Sequence, residues 1–475
     1  MQPWTNGKNH SLSSYSGATT ATTTNALTKP PLSTQLDVTW SSVLSDIKRQ
    51  IRVAITYETP WIRRREILVC ALTGSLGIFL LDAMIFHFGV HYYSDDDMVL
   101  HSVAAHDIMA TFRITSFFRP IEYLILLAAN RVYLPLWLGA SLLCVVGATI
   151  LSALACELLF ERRIPKAGWW VLGVANPLLF YLVSTAGTVS QTLCNLLFAG
   201  AMLAFISELH RLQDRPLSGW CSDRTAAFLN LMAALLFFTK ETAVAAAVVL
   251  PATTALMRLK TRRLSTLFLC SLLLPIGAAS IWTLIKLQFP LYTFGVGRYN
   301  LKLDPITWSK NAISTLAFPI TPLPSSFIAF AVLRPLWVGV ALGAVFLFLG
   351  MLLREVLHQP RVIISLLVVS ASCAPMILIH SSELYSSMIA PFAVSIILLV
   401  GTSTKRWPSL AYGLALYAAS LGNCIVFCMG ADFTPLNLKH LQYSIYGKEH
   451  QQAPTCPIGT TAHVAWGGTA ITCIP

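Results

Sequence analysis

Charge is scarce in this chain: only 11% of its 475 residues are Asp, Glu, Lys or Arg, against 55% hydrophobic, and its mean hydropathy is +0.65. Soluble domains carry about twice that charged fraction, so water is not the main solvent for most of the sequence. Sustained apolar–polar alternation is missing as well, which excludes a transmembrane β-barrel. The eleven cysteines include no C-x-x-C pair. Most fall in apolar stretches, where a thiol behaves as a small hydrophobe rather than a metal ligand. Residues 1–45 lack the apolar core of a secretory signal and are rich in Ser, Thr and Asn, the composition of a disordered segment. Neither a repeat of fixed period nor a likeness between the two halves is visible, which counts against many secondary-transporter architectures. The net charge of +12 does not indicate nucleic acid, because the basic residues lie between apolar runs and not on a soluble patch.

What is abundant is apolar sequence in segments of about 17 to 25 residues, each long enough to cross a bilayer core as a helix. Such segments lie near 67–89, 136–160, 168–185, 188–207, 225–239, 241–257, 265–288, 336–353, 362–379, 386–402 and 409–429. The expected fold is therefore an all-α polytopic membrane protein with about eleven transmembrane helices. Lys48, Arg49, Arg52, Arg63, Arg64 and Arg65 precede the first span and place the N-terminus in the cytoplasm. Every second loop thereafter is basic: Arg162, Arg163 and Lys166; Arg211, Arg215 and Arg224; Arg258, Lys260, Arg262 and Arg263; Arg354 and Arg361; Lys405 and Arg406. An odd number of spans puts the C-terminus outside. Three regions result: a cytoplasmic segment 1–45, a transmembrane domain 46–430 and an extracytoplasmic tail 431–475. Cys456 and Cys473 lie in that tail, in an oxidising space, and are expected to pair. The expected location is a bacterial inner membrane, with the chemistry on the extracytoplasmic side.

Ionisable residues on that side are the candidates for chemistry. The first outside loop holds Ser94-Asp95-Asp96-Asp97-Met98, then a segment through Phe117 with the pattern of an amphipathic surface helix. One aspartate suits a general base toward an acceptor hydroxyl, and a second suits a divalent cation through oxygen ligands. The same residues also suit helix capping, with Ser94 and Asp97 as a capping box. Lys240 and Glu241 interrupt an apolar run, either as a functional site or as a mutual ion pair with Lys240 snorkelling to the interface. Arg119, within Phe118-Arg119-Pro120, and Arg298, within Gly297-Arg298-Tyr299, suit a phosphate, or else lipid headgroups as interfacial anchors. His380-Ser-Ser-Glu383-Leu-Tyr385 adds a carboxylate and a phenol in a short outside link, which a solvated turn would also explain.

Taken together, the acids within Ser94 to Asp97, Phe118-Arg119-Pro120-Ile121, Phe238-Thr239-Lys240-Glu241-Thr242 and Ser382-Glu383-Leu384-Tyr385 resemble, in content and order, the GT-C superfamily of integral-membrane glycosyltransferases. Within it they are similar to the protein O-mannosyltransferase-like branch. The likeness covers roughly residues 67–430. It implies a polyprenyl-phosphate-linked sugar as donor, inverting transfer to an extracytoplasmic acceptor, and an essential acid in the first outside loop. Asp96 and Asp97 are favoured over Asp95 as the working pair. Arg119, Lys240 and Arg298 would hold the donor phosphate, with Glu241, Glu383 and Tyr385 as further site residues. Met98 departs from the family, which often carries an aromatic there, and no large soluble domain follows the last span. Two other classes stay open: a transporter or flippase of lipid-linked sugars, and a polymerase or ligase of surface polysaccharide.

Overall fold

The computed structural model describes residues 64–87, 119–125, 136–174, 189–214, 219–288, 304–320, 334–356, 359–378, 387–401, 408–418, 461–464 and 471–474, all within one unit, Thr59–Pro475. Almost all of it is helical. In chain order the helices are α1 (Arg64–His87), α2 (residues 120–125), α3 (Leu136–Phe160), α4 (Lys166–Val174), α5 (Val189–Asp214), α6 (Gly219–Phe237), α7 (Val244–Lys260), α8 (Thr266–Gln288), α9 (Pro305–Ile320), α10 (Arg334–Val356), α11 (Pro360–Ser372), α12 (Ala374–Leu378), α13 (Ala390–Ile396) and α14 (residues 408–418). A 3-10 turn, Glu241–Ala243, leads into α7, and a π-helical turn, Ile397–Gly401, follows α13. The single described sheet is a hairpin of β1 (Thr461–Val464) and β2 (Ile471–Ile474), antiparallel with Ala462 opposite Cys473.

Each apolar segment read from the sequence overlaps at least one of these helices. Five helical stretches are long and apolar enough to cross a membrane: Gly139–Phe160, Val189–Leu212, Glu241–Lys260, Thr266–Ile285 and Val338–Glu355. The chain is thus a helical membrane protein by the length and composition of its helices. Burial separates them. The apolar window of α5 is 83% buried and that of α8 only 22%, so α5 is central, whereas α8 turns Leu273, Ile276, Leu284 and Leu287 outward. Polar residues inside these helices are mostly satisfied within one turn, as a dry surrounding demands: Thr149 Oγ1 donates to the Val145 carbonyl, Thr254 to Leu250, Ser372 to Val368 and Ser395 to Pro391. Helices α1 and α4 cross where Gly173 meets Gly74. A Cβ on Gly173 would lie 2.7 Å from the Cys70 carbonyl oxygen, so only glycine permits this approach.

Ion pairs gather at one pole of the bundle. Arg258 on α7 is buried, with Glu208 of α5 at 2.7 Å and Asp223 of α6 at 2.6 Å, and its guanidinium lies 4.7 Å from the Phe268 ring centroid of α8. At the same ends, Arg361 pairs with Glu161, Arg162 with Glu355, and the Arg361 guanidinium meets the His210 ring. From Arg211 back to Ser190 along α5 is about 30 Å at 1.5 Å per residue, close to the thickness of a hydrocarbon core. Four basic loops that are separate in sequence are represented at this pole by Arg162, Arg211, Arg258, Arg263, Arg354 and Arg361, which lie on the elements so joined; the fifth, with Lys405 and Arg406, lies outside the described residues.

Three sequence expectations are revised. The helices at the fifth and sixth expected spans, read as short at 225–239 and 241–257, extend beyond those bounds, because α6 starts at Gly219 and α7 runs to Lys260. The segment 289–335, expected outside, contains helix α9, capped by Asp304, whose carboxylate accepts from the Ile306 and Thr307 amides. The tail 431–475, read only as polar, holds the β1–β2 hairpin. The proposed amphipathic helix between Ser94 and Phe117, residues 1–45, and Cys456 lie outside the described residues.

Candidate functional site

At the pole opposite the Arg258 cluster, the Phe-Arg-Pro and Thr-Lys-Glu motifs meet. Pro120 opens α2, where a missing N–H costs nothing, and the Arg119 carbonyl accepts the first helical bond from Tyr123. That places Arg119 at the helix start with Glu122 one turn later on the same face, Nη1 to Oε2 3.5 Å. The second motif is the reversal between α6 and α7. Helix α6 closes with Thr239 bonding Leu236 through both its amide and its hydroxyl. Lys240 is extended, at φ −156° and ψ 141°, and its carbonyl accepts from Ala243 to start the 3-10 turn.

Glu241 Oε2 accepts from Arg119 Nη2 at 3.0 Å and from Nε at 3.2 Å. The first residues of α5 complete the cluster. Ser190 Oγ lies 3.5 Å from Arg119 Nη1, and the Ser190 amide donates to Glu122 Oε1 at 3.3 Å. An amide in the first turn of a helix has no partner within the helix, and a carboxylate there also meets the positive end of the dipole. Lys240 is only 4% exposed. It is therefore not snorkelling to an interface, and Glu241 is engaged with Arg119 122 residues away in sequence, beyond the local Lys240–Glu241 pair considered above. Burial, reinforced by the Arg119 charge, pushes the Lys240 ammonium down to about 8, against the pull of Glu122 and Glu241. Burial pushes the Glu122 carboxyl up, opposed by Arg119, Lys240 and its bonds to Ser190.

From this cluster a polar face continues along α5. Gln191 Nε2 donates to Asn195 Oδ1 at 2.8 Å, and Asn195 Nδ2 donates to Ser387 Oγ at 2.9 Å. Thr192 Oγ1 lies 3.5 Å from Ser141 Oγ on α3. Asn195 and Thr192 thereby reach Ser387 and Ser141 on other elements, and all of these side chains are buried. Among the described residues, Gln191 Oε1, Glu241 Oε1 and Thr242 Oγ1 are buried without a hydrogen-bond partner.

Of the site residues expected from sequence, Arg119, Lys240 and Glu241 come together here. Asp95, Asp96, Asp97, Arg298, Glu383 and Tyr385 lie outside the described residues. Ser387, two positions after Tyr385 in sequence, accepts from Asn195 Nδ2 of α5. The sequence reading missed Glu122, Ser190, Gln191 and Asn195. Glu122 was legible as an acid one helical turn from Arg119, and the others as a run of polar residues opening an apolar span. No group of His, Cys, Asp or Glu suited to a metal ion occurs among the described residues. Chemically, two cations and two carboxylates in a buried, partly open cluster can hold an oxyanion and orient groups around it. No family model matches this chain, and neither does any curated protein or solved structure.

Proposed function

We propose that this protein is a GT-C-like glycosyltransferase that moves a sugar from a polyprenyl-phosphate-linked donor to an extracytoplasmic acceptor, a glycan, lipid or protein. The observation that carries the reading is the convergence of Arg119 with Lys240 and Glu241, from two motifs far apart in sequence, around one buried ionic cluster at the end of the bundle. It is supported by the opposite pole, which carries the basic loops. The pole of Arg119 and Lys240 is then the extracytoplasmic one, the N-terminus is cytoplasmic, and the chain crosses a cell membrane about eleven times.

In this mechanism the donor phosphate rests on Arg119 and Lys240, with Arg298 as a third cation. Their charge stabilises the phosphate as it leaves. Glu241 and Glu122 hold the guanidinium in position. An aspartate of the first outside loop, Asp96 or Asp97, takes the proton of the acceptor hydroxyl. The hydroxyl oxygen bonds to the anomeric carbon from the face opposite the phosphate, the bond from carbon to phosphate oxygen breaks, and polyprenyl phosphate departs with its electron pair, inverting the centre. Glu383 and Tyr385 would be further polar residues of the same site.

The test compares lipid-linked sugars and envelope glycans with and without the gene by mass analysis, then assays transfer with purified variants. At least one of Asp96→Asn and Asp97→Asn is expected to fold normally and lose about a hundredfold or more in transfer, with Asp95→Asn close to wild type. Asparagine caps a helix almost as well as aspartate, so full activity in all three variants would refute an aspartate base.

A further inference from the structure

Helices α7 and α8 are both of membrane length, and the end of α7 with the turn to α8 carries four bases, Arg258, Lys260, Arg262 and Arg263. The protein itself uses two of them. Arg258 pairs with Glu208 and Asp223, and Arg263 Nη1 donates to the Arg211 carbonyl at 3.3 Å. Lys260 and Arg262 are exposed, and their side chains have no ion pair or hydrogen bond among the described residues. Nor is an acid close in sequence, since no Asp or Glu occurs from residue 242 to residue 303. Arg262 is also held in the left-handed region, at φ 54°, where the Arg263 amide returns to the Arg258 carbonyl at 2.9 Å and closes the end of α7. Glycine closes a helix in this way without steric cost. Arginine is the poorer residue for the turn, so its side chain points to a use outside the turn. Apolar surface lies on either side of the two cations: Leu256 and Leu259 before them, Leu264 and Leu267 after them, each between 44% and 65% exposed.

We propose that Lys260 and Arg262 hold the headgroup phosphate of an anionic phospholipid in the leaflet at the basic pole, with its acyl chains against the exposed leucines of α7 and α8. A ligand that meets both surfaces must join a negative group to apolar chains. Inorganic phosphate meets only the cations. A zwitterionic lipid brings a positive group against them and gains less from the pair, whereas an anionic headgroup near Lys or Arg at a membrane surface is attracted by each. The site lies at the pole opposite Arg119 and Lys240 and is independent of the transfer reaction proposed there.

Binding is read on the detergent-purified full chain by native mass spectrometry, with phosphatidylglycerol and phosphatidylcholine of the same acyl chains titrated separately. Wild type is expected to retain phosphatidylglycerol about tenfold or more tighter than phosphatidylcholine. Arg262→Gly removes the cation and supplies the residue that the turn prefers. It is therefore expected to lose about fivefold in affinity for phosphatidylglycerol, yet to unfold no more easily than wild type in micelles that contain only phosphatidylcholine as added lipid. Lys260→Gln is expected to lose about fivefold as well, and the two changes together about 25-fold. Arg262→Gln is the second variant at its position should Arg262→Gly fail to accumulate. Arg354→Gln takes one exposed cation from α10 at the same pole and controls for net charge; it is expected to bind as wild type does. Equal retention of the two lipids by wild type, a loss in Arg354→Gln as large as that in Arg262→Gly, or wild-type affinity in the double variant overturns the site. Displacement of phosphatidylglycerol by millimolar inorganic phosphate overturns a phospholipid as its occupant.

Discussion

Replacing Arg258 with methionine removes the guanidinium that joins three helices at the basic pole. Arg258 is 1% exposed and Glu208 is fully buried. Nε and Nη2 both lie 2.7 Å from Glu208 Oε1, Nη1 lies 2.6 Å from Asp223 Oδ1, and Nη1 also donates to the Arg263 carbonyl. Methionine fills similar volume but leaves the Glu208 carboxylate buried without its cation. Removing one partner of a buried pair costs about 3–5 kcal/mol, whereas replacing both partners by apolar groups is often close to neutral. Arg258→Met is therefore expected to lose about 3–5 kcal/mol, and Arg258→Met with Glu208→Leu to recover most of it, since Asp223 is 15% exposed and reaches water. The assay is equilibrium unfolding in mixed detergent micelles. Glu241 lies 17 positions before Arg258 in sequence, about 25 Å along the helix, so folded Arg258→Met should bind lipid phosphate as wild type does. A single variant within about 1 kcal/mol of wild type, or a double variant no better than the single, would refute the buried-pair account.

Three further outcomes are expected. Gly173→Ala should cost about 1–3 kcal/mol in the same unfolding assay, because its Cβ would press on the backbone at Cys70 and Gly74, while Gly277→Ala, with nothing within 4 Å, should cost nothing. Lys240 titrates near 8, below its ordinary value. It is charged at neutral pH and loses its proton as pH climbs past 8, and a bound phosphate must restore that proton. Farnesyl phosphate affinity should hold steady from pH 6.5 to 7.5 and fall by up to about tenfold per unit above 8, with Lys240→Met weaker and flat; a flat wild-type profile would remove Lys240 from the phosphate site. Reporter fusions after Lys260 and Pro475 should sit on opposite sides of the membrane, and finding both on one side would invalidate the sidedness of the proposed site.

The helices were legible because their cause is local. A run of apolar residues as long as 266–288 must satisfy its own backbone in lipid, and only a helix does so within one segment. Element ends were less so. Helix α9 carries Thr307, Ser309, Lys310 and Asn311 among its apolar residues, and no bilayer-length run marks it. Arg119, Lys240 and Glu241 stood out as ionisable residues beside apolar spans, a costly placement whose rarity is visible in composition alone.

Which charge meets which was decided by tertiary structure. Lys240 and Glu241 are neighbours in the chain, so a mutual pair was the simplest reading of them. The extended backbone at Lys240 and the turn that follows it let Glu241 reach Arg119 as well, and Lys240 is buried. Glu122, Ser190, Gln191 and Asn195 gain their meaning only when α2, α5 and the α6–α7 reversal pack together, because a hydrogen bond between residues 68 or 192 positions apart leaves no mark on local pattern. By itself the sequence determined a helical membrane protein with its charges set apart from its spans, since burial in lipid acts on each segment separately. The composition of the ionic cluster at each pole was left to the folded bundle, since electrostatic pairing depends on distance in space and not along the chain.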